Sequence, residues 1–147
     1  MKQILTIIFC LFFFISCSHE ITPTQLEDGP RAVDKNAVVT GTVAVKAGLT
    51  PKGTGTLFVI ARPVGAIGGP PLAVARIDDP VFPIGFRLSQ ANVMIPSNRF
   101  EGEVTLTAKW SKMGSPMAAV PGDLSTSEAQ NVKVGTTDIQ VVLDRME

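Results

Sequence analysis

From residue 37 onward, apolar and polar positions alternate in short runs. Val39, Val43 and Val45 alternate with Thr40, Thr42 and Ala44. Residues 55–62 (GTLFVIAR) and 71–77 (PLAVARI) follow, and then Ile84, Phe86 and Leu88 stand against Gly85, Arg87 and Ser89. Val104, Leu106, Ala108 and Trp110 alternate with Thr105, Thr107 and Lys109, and residues 129–134 and 139–143 complete the set. A period of two puts successive side chains on opposite faces, so each run predicts a strand with one buried and one wet face. The breaks carry Gly53, Gly65, Gly68, Gly69, Pro70, Pro80, Pro83, Gly114, Pro116, Pro121 and Gly122. These residues stop strands and form turns.

Seven such runs and no helical period predict an all-β domain over residues 37–145. The expected architecture is a seven-stranded antiparallel immunoglobulin-like β-sandwich. The pairing of two core cysteines around a tryptophan that marks antibody domains is absent, and there is no Tyr in the chain. Leu72, Phe86, Leu88 and Trp110 are the expected core, and Gly41, Gly114 and Gly122 the expected turn or close-packing positions.

The amino-terminal pattern is different. Positions 4–15 are apolar except for Thr6, after a short start carrying Lys2. Twelve helical residues reach about 18 Å, short of a hydrocarbon core of about 30 Å, so the run is read as a signal peptide over residues 1–16. Phe14-Ile15-Ser16-Cys17 resembles the bacterial lipobox, with Phe14 in place of the usual Leu, and implies lipidation of Cys17. Ser18 after that cysteine favours the outer membrane, on the periplasmic side of the envelope. Residues 17–36, rich in charge and holding Pro23, Gly29 and Pro30, are read as a polar tether.

Composition narrows the chemistry. The 13 Lys and Arg balance the 13 Asp and Glu, and loss of Lys2 with the leader leaves a net charge of about −1. The chain therefore lacks the basic field that nucleic-acid binding requires. His19 is the single histidine and lies in the tether, while Cys10 and Cys17 fall in the leader region. Residues 37–145 thus hold no imidazole or thiolate for a hydrolase or a zinc site, and an enzyme is not expected. No cofactor is expected either.

Several features remain as candidates. Asp78-Asp79 before Pro80 is expected to make a turn rather than a calcium site, which needs six to eight oxygens. Residues 65–69 (GAIGG) are followed by Pro70-Pro71 and read as a loop, not a phosphate cradle. Met94, Met113 and Met117 are the candidate thioethers for copper(I), although methionine also fills gaps in cores. Phe58 and Ile60 make the second strand apolar on both faces. Their face either meets a loop or stays exposed as an interaction patch.

The order of these segments carries a resemblance. Residues 39–43 (VTGTV), 57–62 (LFVIAR) and 71–74 (PLAV) are followed by Phe82-Pro83-Ile84, Phe86-Arg87-Leu88, Met94, residues 109–114 (KWSKMG), residues 121–124 (PGDL) and the run at 138–144. Together they resemble the immunoglobulin-like C-terminal domain of the cytochrome c biogenesis protein CcmI, also called CycH. Full-length members of that family are exported-side components of haem attachment, in which membrane helices and a tetratricopeptide array present apocytochrome c. The resemblance covers the β-domain and implies a sandwich that acts by contact. The expected function is a lipid-anchored, non-catalytic interaction module, an accessory in cytochrome c maturation or respiratory complex assembly, with protein partners in the cell envelope. The alternatives are a copper(I)-handling lipoprotein and a purely structural one.

Overall fold

The computed structural model describes residues 33–147, so Cys17, His19, the leader and the first part of the tether lie outside the described residues. The strands are β1 (Val38–Val45), β2 (Thr56–Pro63), β3 (Ala73–Asp78), β4 (Ile84–Ser89), β5 (Glu103–Ser111), β6 (Leu124–Ser125), β7 (Gln130–Lys133), β8 (Ile139–Leu143) and β9 (Arg145–Met146). One turn of 3-10 helix, Gln90–Asn92, follows β4. Each of the seven alternating runs became a strand. The other two, β6 and β9, have two residues each, too few to display a period, and exist through pairing with each other and of β6 with β5.

Two sheets face one another. The smaller has the order β4-β1-β8, and the larger runs β3-β2-β5-β6-β9 with β7 also on β5. The expected all-β sandwich of two sheets forms, and two details of its strands differ from the seven-stranded antiparallel expectation. There are nine strands, and β1 lies parallel to β8, with Gly41 opposite Ile139 and Val45 opposite Leu143. Alternation dictates which face a side chain takes, not the direction of the neighbouring strand. A parallel pair requires a long crossover, which here is the whole chain between first and last long strands.

The strand β5 organises the larger sheet. One edge pairs with β2 from Ser111 opposite Thr56 to Val104 opposite Pro63. The other edge is divided between β7 and β6. Thr126 bridges the division: its backbone N–H donates to Ala108 O at 3.0 Å, and its hydroxyl accepts from Ala108 N at 3.3 Å. A side-chain oxygen thus stands in for a ladder carbonyl.

The inward residues of both sheets meet in one core. Val39, Val43, Phe86, Leu88, Val141 and Leu143 come from the smaller sheet, and Leu57, Val59, Val104, Leu106, Ala108 and Trp110 from the larger. The expected core residues Leu72, Phe86, Leu88 and Trp110 all belong to it. Gly41 is a close-packing position: a Cβ there would stand 2.1 Å from Ile139 O and 2.9 Å from the Phe86 ring. Only a hydrogen at that site lets β8 lie against β1.

The chain changes sheets at Asp144, between β8 and β9. Asp144 N donates to Ser125 O at 3.1 Å. Its carboxylate accepts the Ser127 backbone N–H at 2.7 Å and the Ser127 hydroxyl at 2.6 Å. The Ser127 hydroxyl and then its backbone N–H lower the Asp144 pKa below 3.8. Two other carboxylates shift the same way. Asp78 is lowered by hydrogen bonds from Thr56 and Arg76, and Glu147 by the Ser125 hydroxyl and then Arg145. A carboxylate with a depressed folded pKa stabilises the fold fully above its unfolded value and loses that contribution as pH falls through the folded one. Thermal stability is therefore expected to be flat above about pH 5 and to fall from about pH 4 downward. The difference in melting temperature between wild type and Ser127→Ala should shrink as pH drops through the Asp144 value. A difference that stays constant from pH 7 to pH 2.5 would contradict this.

Candidate functional site

The residues singled out by sequence meet different fates. Phe58 and Ile60 are the clearest correction: they are 5% and 8% exposed, so they form no open interaction patch. They lie on the opposite face of β2 from Leu57, Val59 and Ala61, which enter the core. Arg76 and Lys109 flank Phe58 on the neighbouring strands, and Val74 and Thr107 flank Ile60. The Lys109 ammonium donates to Ala118 O and so draws the connection between β5 and β6 toward this face. The aliphatic stems of long cations can cover such apolar surface while their charges stay near water.

That connection is held by a residue that sequence reasoning passed over. Asp123 is completely buried. Its Oδ1 accepts Lys112 N at 2.9 Å, its Oδ2 accepts Val120 N at 3.4 Å, and Lys109 Nζ stands 3.5 Å from Oδ2. Its backbone carbonyl accepts Glu147 N at 2.9 Å. The carboxylate therefore closes both ends of the residue 112–122 connection, and the backbone carbonyl of the same residue ties in the C-terminal segment. In the run PGDL Asp123 looks like any turn residue, and nothing in the local pattern marks its carboxylate as buried.

The three candidate copper ligands are not brought together. Met94 N donates to Leu72 O at 3.0 Å, at the end of β2 where Ala61 pairs with Ala73. Met113 lines a cleft with Thr56 and Asp78 at the other end. The five residue steps from Thr56 to Ala61 amount to about 16 Å of strand. Met117 accompanies Met113, on the loop where its N–H donates to Ser115 Oγ at 3.4 Å. All three side chains are exposed. Asp78 and Asp79 also part company: Asp78 binds Thr56 and Arg76. Asp79 takes a left-handed backbone (φ 47°) and exchanges hydrogen bonds with Gly55, donating from N and accepting on Oδ1. That is the turn expected of it. Residues 65–69 form the connection between β2 and β3, also as expected.

The most distinctive open surface lies at one end of the sandwich. Val33, Asp34 and Ala37, where the described chain begins, line one wall of a cleft of about 350 Å³, and Gln90, Arg99 and Phe100 line another. Gln90 organises that end, donating from Nε2 to Asn98 O and accepting Phe100 N on Oε1, both at 2.8 Å. A second cleft runs from Arg99 to Pro63 and Leu72. Residues 33–147 contain no histidine or cysteine.

Residues 39–144 match the family described as the cytochrome c-type biogenesis protein H Ig-like domain. The chain is also similar to an uncharacterised protein of Aquifex aeolicus (strain VF5). That protein is 28% identical over 153 aligned positions, which cover 99% of this chain and 96% of the relative. No solved structure matches the chain.

Proposed function

Because this chain belongs, through residues 39–144, to the family of the cytochrome c-type biogenesis protein H Ig-like domain, we propose that it is a non-catalytic envelope lipoprotein, anchored through Cys17, that works by protein contact in the maturation of c-type cytochromes. The observation that carries this reading is the extent of the family match. It runs from Val39 in β1 to Asp144 beyond β8, and so takes in both sheets of the sandwich. Contact rather than catalysis is supported by the residue inventory, since every histidine and cysteine of the chain precedes residue 33. The anchor is supported by Cys17 at the end of a twelve-residue apolar run; two or three acyl chains at about 0.8 kcal/mol per methylene hold a protein on a bilayer. The bacterial envelope, on its periplasmic side, follows from that leader. With Met94 a strand-length away from Met113, the copper(I) reading has no observation in its favour.

Cys17→Ser tests the anchor. The wild-type protein should fractionate with membranes and carry acyl chains on its first residue, while the variant should be soluble in the envelope or remain unprocessed. A variant that is fully processed and still membrane-bound refutes the anchor. Capture of the lipidated protein from native membranes should enrich apocytochrome c or haem-ligation components over the Cys17→Ser control, and deletion should lower c-type haem staining. Unchanged haem staining, with only abundant envelope proteins captured, refutes the maturation role.

A further inference from the structure

Exposed apolar side chains sit at both ends of the sandwich, Val81, Met113 and Met117 at one, and Val33, Val64, Ile67, Met94 and Ile95 at the end where the described chain begins. The connection between β2 and β3 reads VGAIGGPPL over residues 64–72, without one charged side chain. Ile67 at its tip is fully exposed, and Val64 is exposed beside it. The loop is held rather than loose, for Arg62 Nη1 donates to Gly69 O at 2.9 Å. Next to it, the Met94 N–H bond to Leu72 O aligns a second uncharged segment, residues 90–98, in which Met94 and Ile95 are exposed. Exposed apolar groups clustered in this way stabilise nothing within their own fold and mark a surface meant for another phase or partner.

The position of the chain's N-terminal side selects the partner. Val33 and Asp34 share a cleft with Arg99, and Arg99 shares the next with Pro63 and Leu72. The segment leading back to Cys17 therefore joins the same end that carries Ile67. The fifteen residues between Cys17 and Val33 reach at most about 55 Å when fully extended, which bounds how far this end can stand from whatever holds Cys17. Lys35, Arg62, Arg87, Arg99 and Lys133 surround the end, but Asp34, Glu101, Glu103 and Asp138 nearly balance them. Charge attraction to anionic lipid is thus small, and insertion of apolar side chains is the available driving force.

We infer that this end of the sandwich seats on the lipid bilayer, with Val64, Ile67, Met94 and Ile95 inserted among the headgroups, so that the domain stands on the membrane end-on. The inference rests on the reading of Cys17 as the lipid anchor. It orients β2 and β5 away from the membrane and presents the opposite end, with the residue 112–122 connection, to partners in the envelope.

Two positions test it in the full, lipidated chain, where acylation blocks Cys17 and a new cysteine can be labelled. Ile67→Cys and Val81→Cys each receive an environment-sensitive fluorophore. Val81 is also exposed, but it lies in the connection between β3 and β4 at the far end. On phosphatidylcholine–phosphatidylglycerol vesicles, spin-labelled lipid should quench the probe at 67 several-fold more than at 81, with a blue shift at 67 alone. Adding Ile67→Asp should reduce quenching of a probe at position 64 several-fold and leave the melting temperature unchanged. Acylated protein that floats with vesicles while 67 and 81 are quenched equally overturns the inference and leaves the anchor intact. Protein that neither floats nor carries acyl mass overturns the anchor, and this inference with it. A photo-cross-linker at 67 that captures protein and not lipid in native membranes overturns the inference as well.

Discussion

Asp123→Ala is expected to lower stability by about 3 kcal/mol. The carboxylate is wholly buried and satisfies the backbone N–H groups of Lys112 and Val120 while facing Lys109 Nζ. A buried donor without a partner costs about 1–3 kcal/mol, and truncation leaves two. Removing one member of a buried ion pair costs about 3–5 kcal/mol. The Lys109 side chain keeps some exposure (13%) and can turn toward water, which places the expected loss at the low end. For a domain of this size each kcal/mol corresponds to roughly 3–5 °C, so the melting temperature should drop by about 10–15 °C. Asp123→Asn keeps an acceptor for Lys112 and should lose less. Circular dichroism melts of the three proteins decide the matter. An Asp123→Ala variant within 1 °C of wild type would show that the residue 112–122 connection is held by something else.

Trp110→Ala should cost about as much or more, roughly 3–5 kcal/mol. Trp110 is the largest fully buried side chain, on the inward face of β5, and its neighbours in register are Leu57 and Leu124. Its indole lies on Gly55, where a Cβ would come within 2.5 Å of the ring. Truncation leaves a cavity bounded by strands on both sides of β5 and by the connection at Gly55. Denaturant unfolding followed by circular dichroism is the suitable measurement, since the variant loses the protein's single tryptophan. The midpoint should fall with the slope unchanged. A fall of less than 1 kcal/mol would mean that the core refills, contrary to its close packing.

Much of this architecture was legible in the chain itself. Alternation over residues 104–110 gave β5 and its buried face, and the same rule gave Val39, Phe86 and Leu88 their places in the core. The rule reports local periodicity and therefore stops at contacts made between distant segments. It could not show that β1 runs parallel to β8, because both directions bury the same side chains. Two-residue strands such as β6 and β9 carry no period at all.

The candidate surfaces divide along the same line. Residues 64–72, uncharged and rich in Gly and Pro, were readable as a loop, and the absence of imidazole and thiol from residues 33–147 as a limit on chemistry. Composition and spacing by themselves determined the strands, their buried faces and the poverty of reactive groups, because each depends only on residue type and near neighbours. Only the tertiary structure decided that Phe58 and Ile60 are covered, that Met94 stands apart from Met113, that Asp123 is a buried clasp, and that Ile67 shares an end with the root of the N-terminal segment. Each of those facts is a meeting of residues far apart in sequence, set by which strands pair and in what register.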